Sequence, residues 1–263
     1  MRAGKAVAGA LASALVVGWA LRAPAQEAGA EAEDPARAIV LRMAEHLARA
    51  PHFSVTQETA YDAIQPDGQR IEFGAMRRVA VRRPQHMRID TVHRDGSRRG
   101  LLFDGKQISV FDLDEKVYAS VEKKGTLDQL VDYLQDELDT PVPLSELYTS
   151  DLPQSVAQRM RDALYVGEET LDGVACDHVA VRAEEVDYQM WVERGEAPLL
   201  HRIVITYKEA PGQPQFRAEL SGWSFAEIPD AIFAFAPAEG SEKIPFAARS
   251  RPAGVEAPAA ESR

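Results

Sequence analysis

The spacing of apolar residues changes along the chain, and the first spacing is that of a helix. Ile39, Met43 and Leu47 recur every four residues, which places them on one side of a helix. The Asp-Pro pair at 34–35 supplies an N-terminal cap followed by a proline at the first helical position. Pro51 stops the pattern. These features predict an amphipathic helix between the two prolines.

The second spacing, of two residues, begins after Pro51 and is typical of β-strands. Phe53 and Val55 start an alternation that continues through six segments to residue 121. Turn signals such as the Asp-Gly pair at 104–105 separate these segments. The alternation resumes at Tyr165 and gives four or five further segments. The pattern therefore predicts an antiparallel meander that is interrupted once.

The interruption is a helical insertion. Thr126 and Gln129 form a capping box, and an apolar stripe follows it, made of Leu127, Leu130, Val131, Leu134 and Leu138. Weaker helical patterns at 144–147 and 154–164 extend the insertion to about residues 126–164. A sheet of about 10–11 strands rarely stays flat. We predict an α+β fold, a strongly curved antiparallel sheet or incomplete β-barrel, with helices covering its concave face.

One face of this sheet is apolar, and the stripe of the insertion is predicted to cover it. The residues assigned to this inner surface are Phe53, Val55, Phe73, Met87, Ile89, Leu130, Leu134, Met190, Ile203, Ile205, Phe216 and Leu220. Trp191 and Trp223 stand beside polar neighbours and are assigned to the opposite face. Residues of this kind either fill a core or line a cavity for an apolar ligand. The sequence leaves both interpretations open.

The ends of the chain differ in character from the strands. Residues 1–25 join Arg2 and Lys5 to an apolar run and a small-residue cleavage pattern, which predicts a secretory signal peptide. No cysteine stands at the cleavage point, so we predict a periplasmic protein without a lipid anchor or a stable membrane insertion. Residues 26–33 are predicted to be a flexible lead, 34–246 a single half-barrel domain, and 247–263 a disordered tail.

The charge of the chain narrows the range of partners. The net charge is −11, and removal of residues 1–25, which carry three cations and no acid, lowers it to −14. A negative protein of this kind is a poor nucleic-acid binder. The segment 70–99 nevertheless holds nine arginines. They are either part of a solvated, partly paired surface or a basic docking face, for which Arg77, Arg78 and Arg88 are the candidates.

The run Cys176-Asp177-His178 is the strongest candidate for chemistry. Cys176 and His178 share one face of a strand, but residues two apart lie about 6.5–7 Å from each other, too far for direct activation of a thiol. The other histidines lack the spacing of a zinc site. Ordinary sheet residues, a metal or redox site, and a hydrolase using His178 or His201 are the alternatives. We predict no enzyme, cofactor or metal, and the single cysteine excludes an internal disulfide.

Several stretches are similar to one known family. They read VRRPQHMRID, LLFDGKQISVFD, LDGVACDHVAVR, DYQMWVERGEAPLLHRIVITYK and PQFRAELSGW. The chain resembles, over about 34–246, the predicted periplasmic proteins known as domain of unknown function 2092. That family is similar to the lipoprotein carriers and receptors of the LolA/LolB type. The resemblance implies a half-open antiparallel barrel, a helical lid and a cavity for acyl chains.

The resemblance and the patterns together give two functional hypotheses. The first is a non-enzymatic periplasmic binding protein that holds the acyl chain of a lipid or lipoprotein in the curved sheet under a helical lid. The second is a protein-interaction or envelope-stress sensing module without lipid cargo, which would dock a periplasmic partner through its basic segment.

Overall fold

A computed structural model of the protein describes residues 34–137 and 144–246. The predicted signal peptide at 1–25, flexible lead at 26–33, disordered tail at 247–263 and stripe residue Leu138 lie outside the described residues. Twelve strands of the described residues form one hydrogen-bonded sheet. The predicted fold, a curved and open antiparallel sheet with few helices, is confirmed.

The helices lie at the start of the described chain and in the insertion. They are α1 (Pro35–Arg49), α2 (Leu127–Asp132) and α3 (Leu152–Arg159), with a π-helical turn at Tyr133–Glu137 and 3-10 turns at Ser145–Tyr148 and Asp230–Phe233. The strands are β1 (His52–Ile64), β2 (Arg70–Arg82), β3 (His86–His93), β4 (Arg98–Phe103), β5 (Gln107–Asp112), β6 (Val117–Glu122), β7 (Asp162–Leu171), β8 (Val174–Arg182), β9 (Val186–Glu193), β10 (Leu200–Tyr207), β11 (Gln215–Ser224) and β12 (Glu242–Lys243).

In the sheet, the strands that precede the helical insertion lie beside the strands that follow it. It runs β12-β6-β5-β4-β3-β2-β1-β11-β10-β9-β8-β7, so β1 pairs with β2 on one edge and with β11 on the other. Neighbours are antiparallel, except that β12 runs parallel to β6. Because the order is linear, the sheet stays open, with β7 at one edge and β12 at the other. The two-residue β12 was not predicted, since it is too short to show an alternation.

The local signals in the sequence account for the helix starts. The side chain of Asp34 accepts a hydrogen bond from the backbone N–H of Ala36 at 3.0 Å, and Pro35 takes the first helical position of α1. The predicted capping box of Thr126 and Gln129 is present at the start of α2.

The end of the insertion differs from the prediction. The sequence predicts a helix over 154–164, whereas α3 ends at Arg159 and β7 begins at Asp162. The backbone N–H of Arg161 bonds to the carbonyl of Arg182 at 2.9 Å, and Asp162 pairs with Arg182 in the sheet. The residues from Asp162 onward therefore form the edge strand β7 instead of continuing the helix, because strand pairing outweighs a weak helical pattern.

One predicted side-chain orientation is wrong, and an irregular strand explains it. Trp223 was assigned to the outer face, but it packs against the main core, with its ring centroid 5.6 Å from that of Phe53. The pairing of β1 with β11 shifts by one residue between Ser224 and Ser221, and Gly222 there has a φ of 64°. A bulge of this kind reverses the alternation of the strand, so Trp223 turns inward.

Candidate binding surface on the concave face of the sheet

Most of the predicted inner-surface residues lie together between the sheet and the helices. Ten of them are buried in the main apolar core: Phe53, Val55, Met87, Ile89, Leu130, Leu134, Met190, Ile203, Phe216 and Leu220. Ile205 is partly buried against the same core. The residues of α1 and α2 complete this core, so the apolar stripe of the insertion does face the sheet.

Phe73 is the exception among the predicted inner-surface residues. Its side chain is 44% exposed, and it stacks on Tyr61, itself 39% exposed, with ring centroids 5.8 Å apart. Phe73 lies on the concave face but eight residues along β2 from the buried Val81, which is about 26 Å on an extended strand. The six-residue α2 is only about 9 Å long. The concave face therefore has a covered end and an open end.

At the covered end, side chains of the sheet and of the helices pack into one apolar core in this structure. Two pockets of the described residues lie elsewhere. One, of about 180 Å³, is bordered by Phe111, Tyr118 and Phe235, and the other, of about 140 Å³, by Glu58 and Arg217. An apolar ligand would therefore have to replace side chains of the protein in order to enter the covered end.

A polar belt separates the covered end from the open end. Gln57 and Thr59 follow Phe53 and Val55 on the concave face of β1, and both are buried. The side-chain amide of Gln57 donates to the hydroxyl oxygen of Tyr148 at 3.1 Å. Burial raises the pKa of the Tyr148 phenol to about 12. The hydroxyl of Thr59 donates to the carbonyl of Ala75 at 2.9 Å and accepts from Arg77.

Arg83 joins the first helix to the insertion. Its guanidinium donates to the carbonyls of Leu47 and Ala50 at the end of α1, at 3.4 Å and 3.2 Å. It also donates to the carbonyls of Leu147, at 3.2 Å, and Tyr148 in the 3-10 turn. A cation at the carbonyl end of a helix is favourable. Burial lowers the pKa of Arg83, and these four acceptors offset that cost.

The three predicted docking arginines do not share a face. Arg77 points into the concave side, where it meets Thr59. Arg88 lies on the other face and forms a two-point ion pair with Asp90 at 2.8 Å and 3.0 Å. Arg78 also lies on that face, is exposed, and takes part in none of the ion pairs found among the described residues. Docking through these residues remains a prediction, and of the three only Arg78 is exposed.

Cys176 and His178 lie on the outer, convex face, in a second small apolar cluster. His178 stacks on Trp191 with ring centroids 4.1 Å apart, and its Nδ1 lies 2.9 Å from the carboxylate of Glu169. Glu169 also accepts from the indole N–H of Trp191 at 2.8 Å. The His178 Nε2 is buried without a hydrogen-bond partner among the described residues. The pair is therefore packed into the sheet rather than presented to a substrate.

The surroundings of Cys176 hold its thiol protonated at neutral pH. Burial, followed by the carboxylates of Glu193, Asp177 and Glu169, raises the pKa of the thiol to about 11. Nucleophilic chemistry requires the thiolate. His201 is likewise buried, with its Nδ1 3.2 Å from Glu193. Across residues 34–137 and 144–246, no three histidine, cysteine or acidic residues lie close enough together to hold a metal ion.

Most of the polar side chains of this region are absent from the residues that the sequence predicts for the site. These are Gln57, Thr59 and Tyr148 of the polar belt, and Arg83. A signal for Arg77 was present, because it stands in phase with Val79 and Val81 on β2, and the alternation places all three on one face. Tyr148 and Arg83 meet residues far away in sequence, so no local pattern indicates them.

Comparison with known proteins identifies the family. The model of the family described as predicted periplasmic protein (DUF2092) matches residues 36–247, so the chain belongs to that family. The periplasmic location predicted from the sequence agrees with this description. None of the described helices is long and apolar enough to cross a membrane. A comparison with the curated proteins gave no match.

Solved structures with a similar arrangement come from several bacteria. The lipoprotein LppX of Mycobacterium tuberculosis is 13% identical, covers 72% of this chain and 94% of its own, and gives a TM-score of 0.46. An uncharacterized conserved protein from Thermus thermophilus is 10% identical over 80% of this chain and 99% of its own, with a TM-score of 0.44. A LolA superfamily protein from Nitrosomonas europaea is 12% identical over 76% and 97%, with a TM-score of 0.36.

Proposed function

We propose that this member of the family of predicted periplasmic proteins is a non-enzymatic binding protein that holds the acyl chain of a lipid or lipoprotein. The ligand lies on the concave face of the sheet, in the place that α2 occupies in this structure. The observation that supports the proposal is that helices rather than a second sheet cover the apolar face, and that one of them, α2, has only six residues. A short cover is easier to displace than a sheet, because fewer interactions hold it.

Loading requires the apolar side chains of α2 and the following turn to leave the core. Four of them are buried, namely Leu127, Leu130, Val131 and Leu134. Exposing each one costs about 1.5–3 kcal/mol, which gives about 6–12 kcal/mol for the four. An acyl chain regains about 0.8 kcal/mol for each methylene that it buries. A chain of about 8–15 methylenes therefore balances the displaced side chains, and a shorter chain does not.

The first experiment asks whether the protein carries an acyl chain at all. The protein is purified from the periplasm without detergent, and native mass spectrometry is combined with lipid extraction. Binding of a series of acyl chains, from about six to about eighteen carbons, is then measured by calorimetry. We expect binding to begin near the length at which buried methylenes offset the four side chains. The proposal fails if no chain length binds and no lipid is extracted.

A variant with a matched control tests the role of α2. Leu134→Ala removes about 2–5 kcal/mol of core packing, so it lowers the cost of displacing the helix. We expect it to shorten the minimum chain length by about 3–6 methylenes. Val166→Ala on the exposed side of β7 removes a comparable apolar group without touching α2 and leaves the minimum length unchanged. A minimum length that does not move in Leu134→Ala would exclude the displacement of α2.

The second candidate function is docking of a periplasmic protein without lipid cargo. It is favoured by the outer face of the sheet, where Arg78 on β2 and Leu164 on the edge strand β7 are both exposed. Capture of a periplasmic partner that weakens with salt, and weakens further in Arg78→Glu, supports this candidate. Capture that depends on neither salt nor Arg78 contradicts it.

A further inference from the structure

The open end of the concave face holds a cation without an acidic partner among the described residues. Arg77 lies on β2, and its guanidinium reaches the hydroxyl oxygen of Thr59 on β1, at 2.5 Å. Thr59 is the neighbour of Tyr61 on the same face of β1. The side chain of Arg77 therefore leans along the sheet toward the stacked pair of Tyr61 and Phe73. It stands between the filled core and the exposed aromatic rings.

The charge of Arg77 is not compensated within the part of the chain that the structure describes. Two other arginines of β2 pair with acids, Arg70 with Asp62 and Arg82 with Asp230, but Arg77, like Arg78, takes part in none of the ion pairs formed within 34–137 and 144–246. A guanidinium has five N–H donors, and Thr59 accepts from one nitrogen. Burial lowers the pKa of Arg77. An arriving anion relieves the cost of holding this charge away from water.

The surface next to Arg77 has the character of a contact for hydrocarbon. The rings of Tyr61 and Phe73 lie side by side and face solvent, although they belong to the face that is buried elsewhere on the same strands. Ile71, two residues further along the same face of β2, is exposed as well. A cation at the edge of an exposed apolar surface can bind a molecule with an anionic head and an apolar tail, because the head pairs with the cation and the tail contacts the apolar surface.

We propose that Arg77 binds the carboxylate of a long-chain carboxylic acid, whose hydrocarbon chain lies along the concave face. This inference rests on the proposed function and adds the class of the ligand. A single carboxylate can accept two parallel N–H bonds from one guanidinium. The site offers one cation in a protein of net charge −11, so a singly charged head fits it better than a phosphate monoester, which carries up to two charges.

The test compares an acid with its uncharged ester. Palmitate and methyl palmitate are titrated at neutral pH into the full chain, into Arg77→Gln and into Arg78→Gln. Arg78 is the matched control, because Arg78→Gln removes the same charge from the opposite face of the same strand. Vesicles of phosphatidylglycerol form a third arm, which distinguishes a phosphate head from a carboxylate. Urea denaturation of each variant verifies that it is folded.

We expect the unaltered protein to bind palmitate at least about tenfold more tightly than methyl palmitate. Arg77→Gln should weaken palmitate binding by about tenfold to a hundredfold and leave methyl palmitate unchanged. Arg78→Gln should keep the preference, and Arg77→Lys, which keeps the charge but not the two-point geometry, should fall between.

Four results would overturn the assignment of Arg77. They are equal affinity of the unaltered protein for acid and ester, a preference that persists in Arg77→Gln, a folded Arg77→Gln protein that has lost both ligands, and tighter, Arg77-dependent binding of phosphatidylglycerol. Equal affinity leaves the proposed function standing, because acyl chains still bind. Absence of binding by both palmitate and its ester contradicts the proposed function itself.

Discussion

The strands β1 and β2 present one continuous face to two different surroundings. At the covered end, Phe53 and Val81 are fully buried in the core that the helices complete. At the open end, Tyr61 and Phe73 follow the same alternation on the same two strands, yet both face solvent. The strand sequences at the two ends are alike in pattern. The difference arises from the helices, which lie over one end and leave the other exposed.

This comparison shows that an apolar strand face and a core are not equivalent. An apolar face becomes core only where another element covers it. Where it stays open, it is a surface that can bind a ligand. The polar belt of Gln57, Thr59 and Arg77 lies at the border between the two, so a ligand that spans the border meets apolar and charged groups in turn.

The largest effect is expected at the covered end. Phe53→Ala removes a fully buried ring and leaves a cavity, so it should lower the free energy of unfolding by about 3–5 kcal/mol. Urea denaturation followed by tryptophan fluorescence measures this change. Phe53→Leu, which keeps most of the volume, should lose clearly less. A loss below about 1 kcal/mol in Phe53→Ala would mean that the covered end is not tightly packed.

The second effect concerns the attachment of the cover. Arg83→Ala removes a donor from four backbone carbonyls, of which, among the described residues, only that of Leu47 keeps a second donor, the N–H of Ala50, so the change should cost about 2–4 kcal/mol. Because Arg83 ties α1 to the 3-10 turn, limited proteolysis should also cut more quickly near Ser145–Tyr148. Arg83→Lys keeps a cation but not the fork of donors, and should restore only part of the loss. Unchanged proteolysis in Arg83→Ala would show that the turn is held by other contacts.

The third effect lies in the polar belt and depends on pH. Tyr148→Phe leaves the amide of Gln57 without its partner, which should cost about 1–3 kcal/mol near neutral pH. Burial raises the pKa of Tyr148 from 10.0 to about 12. The unfolded chain therefore loses this proton first as the pH rises, and the stability that Tyr148 supplies is present below about pH 10 and lost toward pH 12.

The pH dependence is measured as the difference in the free energy of unfolding between the unaltered protein and Tyr148→Phe. This difference should shrink as the pH rises from about 10 to about 12. Tyr118→Phe on β6 serves as the control, because that ring lies away from the belt, beside Phe235. A difference between the unaltered protein and Tyr148→Phe that stays constant over this range would contradict the raised pKa of Tyr148.

The smallest effect on stability is expected at the open end. Phe73→Ala removes an exposed ring, so the free energy of unfolding should change by less than about 1 kcal/mol. The same substitution should weaken the binding of palmitate, because the ring contacts hydrocarbon in the proposed complex. Calorimetry and urea denaturation of the same preparation measure both quantities. A large loss of stability without any loss of binding would show that the open end contributes to folding rather than to ligand binding.

Local signals predicted most of the elements but not their limits at the sheet edge. The caps at Asp34 and Thr126 and the alternation from Phe53 onward led to the correct helices and strands. The helix predicted to reach residue 164 was cut short because Asp162 pairs with Arg182, twenty residues away in sequence. Pairing over such a distance leaves no mark in a local pattern.

The candidate site was predicted less completely than the fold. Alternation identified the apolar face, and ten of its twelve proposed residues are fully part of the core. Phe73 was placed with them because it has the same phase as Val79 and Val81, although it lies beyond the helices. Trp223 was placed outside because a bulge near Gly222 changes the phase of β11.

Away from the bulge that turns Trp223 inward, the sequence by itself determined which residues share a face, because the period of two in a strand and the turn residues between strands are local properties. It also determined where α1 and α2 begin. Only the tertiary structure decided which part of the apolar face is covered and that Arg77 stands, among the described residues, without an acid beside open aromatic rings. The physical reason is that coverage and charge pairing join residues far apart in the chain, and their distances exist only after the sheet has curved around its helices.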